Sequence, residues 1–215
     1  MIAHSPIVLA CRAHALTLAV CTTGAVSLSA TATGYARTTG SFLTDGFRVG
    51  MEVTPIGFAA TTPEVITAVT ALTMTTAAHT VQTAASRTLS VGLPSSRAWE
   101  NLAFEPSAPI PHVEETYLPG QMTRIGIGQF SSLEATSLYL LKLHGPIHVG
   151  RDALSAYTDA LLAHFPPSLP LTLSTGDVTR VRGDLAPYPS GLDRIDTQTV
   201  VTVTIPLRTR SANAR

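Results

Sequence analysis

Residues 22 to 92 are dominated by Thr, Ser, Ala, Val and Gly and carry very few charges. Thr and Val suit a half-buried, pleated surface, so a stretch of this composition belongs in strands. Alternation runs through Ala25-Val26-Ser27-Leu28-Ser29-Ala30 and again from Val65 to Met74, each read as a strand. Turn residues punctuate the stretch at Gly34, Gly40, Asp45-Gly46, Gly50, Pro55 with Gly57, and Pro63. Several short strands at such spacing predict a small all-β unit, a barrel or a sandwich.

The flanks read differently. Residues 6 to 20 predict an amphipathic helix, with Pro6 in its first turn and Ile7, Cys11, Ala15 and Leu18 on one stripe. After Gly92 come a turn, a Trp-containing segment from Arg97 to Phe104, and a proline-rich stretch with Pro106, Pro109 and Pro111. His112 to Leu118 reads as a strand ended by Pro119-Gly120, and Thr123 to Ser132 as a glycine-rich loop. Ala135 to Leu143 reads as a strand ended by Gly145-Pro146. Arg151 to Phe165 is the clearest helix, with Leu154, Tyr157, Leu161, Leu162 and Phe165 on one face and Pro166-Pro167 as its stop. Strands follow at Asp177 to Leu185 and at the β-branched run Thr197 to Pro206, and the polar tail from Arg208 to Arg215 is expected to fray. The expected fold is therefore α+β: a mostly antiparallel sheet with two helices on one face. Residues 1–21 and 93–215 form that domain on this reading. Residues 22–92 are an inserted β domain, because the first helix alone cannot bury its stripe.

Composition narrows the function. Hydrophobic residues make up 45% of the 215 and charged residues 13%, and fourteen basic residues balance fourteen acidic ones. A surface with little long-range repulsion suits a subunit packed against other subunits, and the absence of a positive balance argues against general nucleic-acid binding. Cys11 and Cys21 have no CxxC spacing or neighbouring His/Cys cluster, so zinc is not expected there and buried free thiols are. The apolar run Ile7 to Val20 is short for a membrane span, is interrupted by Arg12 and His14, and has no basic residue before it. A protein made in the cytoplasm, with no membrane association, is the expectation.

The motifs of catalysis are missing from the sequence. His144 and His148 are four apart but flank Gly145-Pro146, so they cannot share a helix face as zinc-binding pairs do. Glu114 and Glu115 are adjacent on a strand and point to opposite faces. Gly126-Ile127-Gly128 lacks the third glycine of a nucleotide fingerprint, and there is no nucleophile elbow or phosphate loop. No enzyme, cofactor or metal is expected. Trp99 is read as a core or interface anchor.

The stretch Leu93-Pro94, Arg97-Ala98-Trp99-Glu100-Asn101-Leu102-Ala103-Phe104, Pro106 and His112-Val113-Glu114-Glu115-Thr116-Tyr117-Leu118-Pro119 resembles the tail terminator family of long-tailed, siphovirus-type bacteriophages, the lambda-type minor tail proteins. The resemblance covers residues 1 to 20 and 93 to 210, with Trp99-Glu100-Asn101 its most specific part. Separately, Gly24 to Met74 looks like small β modules of phage tail proteins. The resemblance implies a structural virion protein, assembled in the host cytoplasm, that forms a hexameric ring on the head-proximal end of the tail tube. Such a ring stops tube growth and offers a surface for head joining. Its partners would be further copies of itself, the tail tube protein and a head-completion or connector protein, with DNA passing through the lumen without specific binding. Contacts to subunits and tube would fall to Trp99, Glu100 and Asn101, to Arg124 and Gln129 in the glycine-rich loop, and to Arg208 and Arg210 in the tail.

Two other readings compete with the ring. One keeps the chain in the virion as a head-completion or neck connector protein, or as a tail tube subunit. The other makes it a binding module gripping a host glycan or virion protein through residues 22–92, where Tyr35, Phe42, Phe47 and Phe58 are the only aromatics.

Overall fold

The structure, a computed structural model, describes residues 4–99, 111–125, 132–146, 151–195 and 198–211. Helix α1 (His4–Ala15) buries the expected stripe: Ile7, Cys11, Ala15 and Leu18 all lie in the core. It stops at Ala15, short of residue 20. There Leu18 N–H bonds back to Ala15 O in a tightened last turn, and Val20 N–H already pairs with Val91 O in extended chain.

The next eight strands form one antiparallel sheet: β1 (Cys21–Thr22), β2 (Val26–Thr31), β3 (Gly34–Arg37), β4 (Glu52–Ile56), β5 (Glu64–Val65), β6 (Ala68–Val69), β7 (Thr73–Thr75) and β8 (Gln82–Val91). The order is β5-β4-β8-β2-β3-β7-β6, with β1 also on β8. The run from Val65 to Met74, expected as a single strand, is three short ones. Ile66 turns inward into the core with its N–H on Met51 O, and a tight turn closes through Thr70 N–H to Thr73 O. Leu28, Tyr35, Phe42, Phe47, Met51, Val53, Met74 and Leu89 fill the space the sheet curls around.

The second sheet and helix α2 (Asp152–His164) account for the rest of the described chain. Its strands are β9 (Ser96–Ala98), β10 (His112–Ile125), β11 (Ser132–Pro146), β12 (Pro170–Thr172), β13 (Val178–Val181), β14 (Tyr188–Pro189), β15 (Asp193–Ile195) and β16 (Gln198–Ser211). The order is β12-β13-β16-β11-β10-β9, with β14 and β15 also on β16. All pairs are antiparallel except β9 with β10. One face carries Val113 and Tyr117 on β10, Tyr139, Leu141 and Leu143 on β11, and Val201, Val203, Ile205 and Leu207 on β16, all buried. Both helices lie on that face. Arg12 of α1 reaches Glu115, and the ring of Phe165, just after α2, lies 6.4 Å from that of Tyr139. The expected arrangement, a mostly antiparallel sheet with two helices on one face, describes this half of the molecule, and the whole chain is mostly β. The buried residues of the two sheets form one continuous hydrophobic cluster. Glu52 joins the two sheets: its N–H donates to Tyr157 Oη at 3.1 Å, and its carboxylate accepts from Ser95 N–H at 2.7 Å and from Ser95 Oγ.

Three expected chain stops are not stops. β10 runs through Pro119-Gly120 to Ile125, with a register shift between Pro119 and Met122. Proline is tolerated because no described strand pairs with the outer edge of β10 beyond Glu114, so no ladder bond is lost there. Glycine is required because a Cβ at position 120 would lie 1.8 Å from Thr136 O across the ladder. β11 likewise continues through Gly145-Pro146, paired to Gln198 and Thr199. Arg208 to Ser211 do not fray. They extend β16 between β11 and β13, where Leu207 and Thr209 point into the core.

Candidate functional site

The hairpin of β10 and β11 presents an exposed apolar surface. β11 is held on both sides, by β10 and β16. β10 is the outer strand, and every residue from Leu118 to Ile125 is exposed. Leu118, Met122 and Ile125 leave large apolar side chains in solvent, with Leu118 and Met122 each 47% accessible. An exposed strand with open backbone groups and apolar side chains is the kind of edge that pairs with another chain.

The same end of the sheet carries charge. Arg210 Nε lies 2.8 Å and Arg208 Nε 3.3 Å from the Glu134 carboxylate, so two arginines flank one acid. Arg124 is exposed opposite Leu133, one row from Glu134, on the other face. Three of the expected interface residues, Arg124, Arg208 and Arg210, therefore gather at the far end of the hairpin. Trp99 does not join them. It follows β9, whose Ala98 pairs with Glu114, roughly 30 Å along β10 from Arg124. Glu100, Asn101 and Gln129 lie outside the described residues, as do His148 and the Gly126-Ile127-Gly128 segment.

Trp99 belongs to an internal cluster. It packs half-buried against the core, with the Arg12 guanidinium 4.7 Å and that of Arg97 6.0 Å from its ring centre. Arg12 also forms a two-pronged ion pair with the buried Glu115 carboxylate, which accepts a 2.7 Å hydrogen bond from Tyr139 Oη. Burial first, and then the Glu115 charge, push the Tyr139 hydroxyl far above its ordinary range, so it stays a donor. Burial likewise raises the thiol of Cys11, and that of half-buried Cys21 to about 12, which keeps both protonated. Adjacent Glu114 points to the other face, as the strand period requires. There it meets Lys142 Nζ at 3.6 Å and His144 Nε2 at 3.5 Å. His112 sits opposite His144 in the ladder, so one face of the hairpin groups His112, Glu114 and His144. Sequence reasoning weighs His144 only against His148 and sets that pair aside, because the cross-strand partner His112 lies 32 residues away and only the hairpin register brings it close.

A long, supported hairpin with exposed apolar side chains on its outer strand suits a protein that packs against others. The profile of the family described as phage tail terminator protein matches residues 79–208 of this chain, from just before β8 to near the end of β16. The chain belongs to that family, and it is thus a structural protein of the phage tail and part of the virion. The match includes Trp99, Arg124 and Arg208 and stops two residues short of Arg210. One solved structure resembles it at 20% identity and a TM-score of 0.44, over 58% of this chain and 83% of the other. No curated protein matches. Among the described residues, no helix is long and apolar enough to cross a membrane.

Proposed function

We propose that this protein forms a ring, six copies to the turn, on the head-proximal end of the tail tube of a long-tailed, siphovirus-type phage. There it ends tube growth and presents the surface for head joining. The observation that carries the ring is the outer strand of the hairpin. Leu118, Met122 and Ile125 face solvent on an edge strand, and a neighbouring copy would cover them. A head-to-tail contact of this kind closes into a ring when its rotation divides the circle. Arg124, Arg208 and Arg210 at the same end are the candidates for polar contacts around it, and the segment containing Trp99, Glu100, Asn101 and that containing Gln129 for contacts to subunit or tube. Partners on this reading are the tail tube protein and a head-completion or connector protein, and assembly takes place in the host cytoplasm. The formal charge of zero fits a lumen that passes DNA without holding it. Light scattering and negative-stain imaging of the full-length protein should give closed rings that cap purified tubes. A strictly monomeric protein that leaves tubes uncapped sinks the assignment.

We further propose that residues 22–92 are a module set into the terminator domain of residues 1–21 and 93–215. The pairing of strands β1 through β8 among themselves, and with no described strand of the second sheet, supports this. Replacing residues 22–92 by a short linker should leave the second sheet and both helices folded, with reduced stability because Tyr157 and Ser95 lose their Glu52 partner. An unfolded product in circular dichroism rejects the insertion.

A further inference from the structure

We propose that His112, Glu114 and His144 form a binding site for a divalent transition metal, zinc foremost. Residues two apart on a strand share a face, and the residue directly opposite on the antiparallel neighbour completes a triangle on that face. His112 and Glu114 supply the first two corners and His144 the third, through the register His112 with His144. The candidate ligand atoms all lie within 4.8 Å of one another, and the two imidazole rings stack at 4.1 Å. Ligand atoms around tetrahedral zinc stand roughly 3.3 Å apart, given bonds of about 2.0–2.1 Å. Closing the site takes a shift on the order of 1–2 Å and a turn of the stacked rings that brings their nitrogens onto one point. Two histidines and one carboxylate are a recognised three-ligand zinc set that leaves the fourth position to water or an incoming group.

The surroundings orient His144 as a ligand. His144 Nδ1 lies 2.8 Å from Gln198 Oε1. An amide oxygen can only accept, so Nδ1 donates to it, and in the neutral imidazole that tautomer presents the Nε2 lone pair to the site. That Nε2 is buried and has no hydrogen-bond partner among the described residues, with Glu114 Oε1 3.5 Å away. The carboxylate is divided between neighbours: Oε1 faces His144, and Oε2 faces Lys142 Nζ at 3.6 Å. Lys142 thus pairs with the oxygen that a singly coordinating carboxylate leaves over. Glu114 is 37% accessible, which gives an ion a way in from solvent.

The test is titration of the metal-free, full-length protein with Zn²⁺ by calorimetry, and with Co²⁺ by visible absorption. One equivalent should bind, and Co²⁺ should show a tetrahedral spectrum without a thiolate charge-transfer band. Glu114→Gln and His144→Ala should each weaken binding by more than roughly 100-fold, beyond the cost of losing an outer partner. Gln198→Ala, which removes only the group orienting His144, should weaken it by roughly 10–100-fold. Should His144→Ala fail to fold, the two variants at the partly exposed Glu114 and Gln198 carry the test. The site is overturned by absence of saturable binding, by a thiolate band placing the ion on a cysteine, or by unchanged affinity in Glu114→Gln and Gln198→Ala.

Discussion

Arg12→Ala is expected to destabilise the folded protein by about 3–5 kcal/mol, the cost of stranding one member of a buried ion pair. The Glu115 side chain has no solvent exposure, and Arg12 retains 20%. In the variant, the buried carboxylate keeps the Tyr139 hydroxyl but loses the Arg12 charge. The Trp99 ring also loses the nearer of its two cations, a contact worth roughly 0.5–1 kcal/mol. A domain's whole stability is about 5–15 kcal/mol, so this is a large part of it. The effect comes from the stranded charge and not from any great net value of the pair. Arg12→Met with Glu115→Leu and Tyr139→Phe, which removes the polar group throughout, should therefore recover most of the loss. Urea unfolding of the three proteins measures both effects. A loss below about 1 kcal/mol for Arg12→Ala would mean that water reaches Glu115 and that the pair behaves as a surface one.

That cluster also shows where sequence reasoning succeeds and where it stops. The opposite orientation of Glu114 and Glu115 follows from the strand period alone and holds in the structure. The partners of each do not follow, because Arg12 and Tyr139 are 103 and 24 residues from Glu115 in the chain. Local periodicity found both helices and their buried faces, and it found the cores of β2, β10, β11 and β16. It missed β8, whose exposed Thr83, Ala84, Ala85 and Ser86 carry no alternation, although β8 is the strand on which β1, β2 and β4 all pair. It also misread Pro119-Gly120 and the segment from Arg208 to Ser211 as ends. A proline stops a strand only when the lost N–H is needed, and polar residues fray only when nothing flanks them. Both conditions are settled by neighbours far away in sequence. The alternation of Leu207 and Thr209 with Arg208 and Arg210 was a signal that the strand continued. No comparable local signal exists for the clustering of His112 with His144, which depends on hairpin register.

If the proposed ring closes through the outer strand of the hairpin, charged substitutions at Leu118, Met122 and Ile125 should dissolve it while leaving the subunit folded. These side chains are already in water in the single chain, so changing them costs the fold only about 0.5 kcal/mol each. In a ring contact they would be the apolar anchors, and truncating an anchor typically costs 2 kcal/mol or more, roughly 30-fold in affinity. Leu118→Lys with Met122→Lys should thus weaken each contact by about 1000-fold if the two losses add. Because each subunit of the proposed closed ring makes the contact twice, the variant should sediment as a monomer at concentrations where the native protein sediments as the assembly. Arg210→Ala is the contrasting case. Its side chain is 63% exposed and paired with Glu134 at the rim, so its loss should change salt dependence and association rate more than ring stability. Rings that persist in the Leu118→Lys, Met122→Lys protein, with unaltered circular dichroism, would move the subunit contact off this strand. The segment following Trp99 would then be the next surface to test.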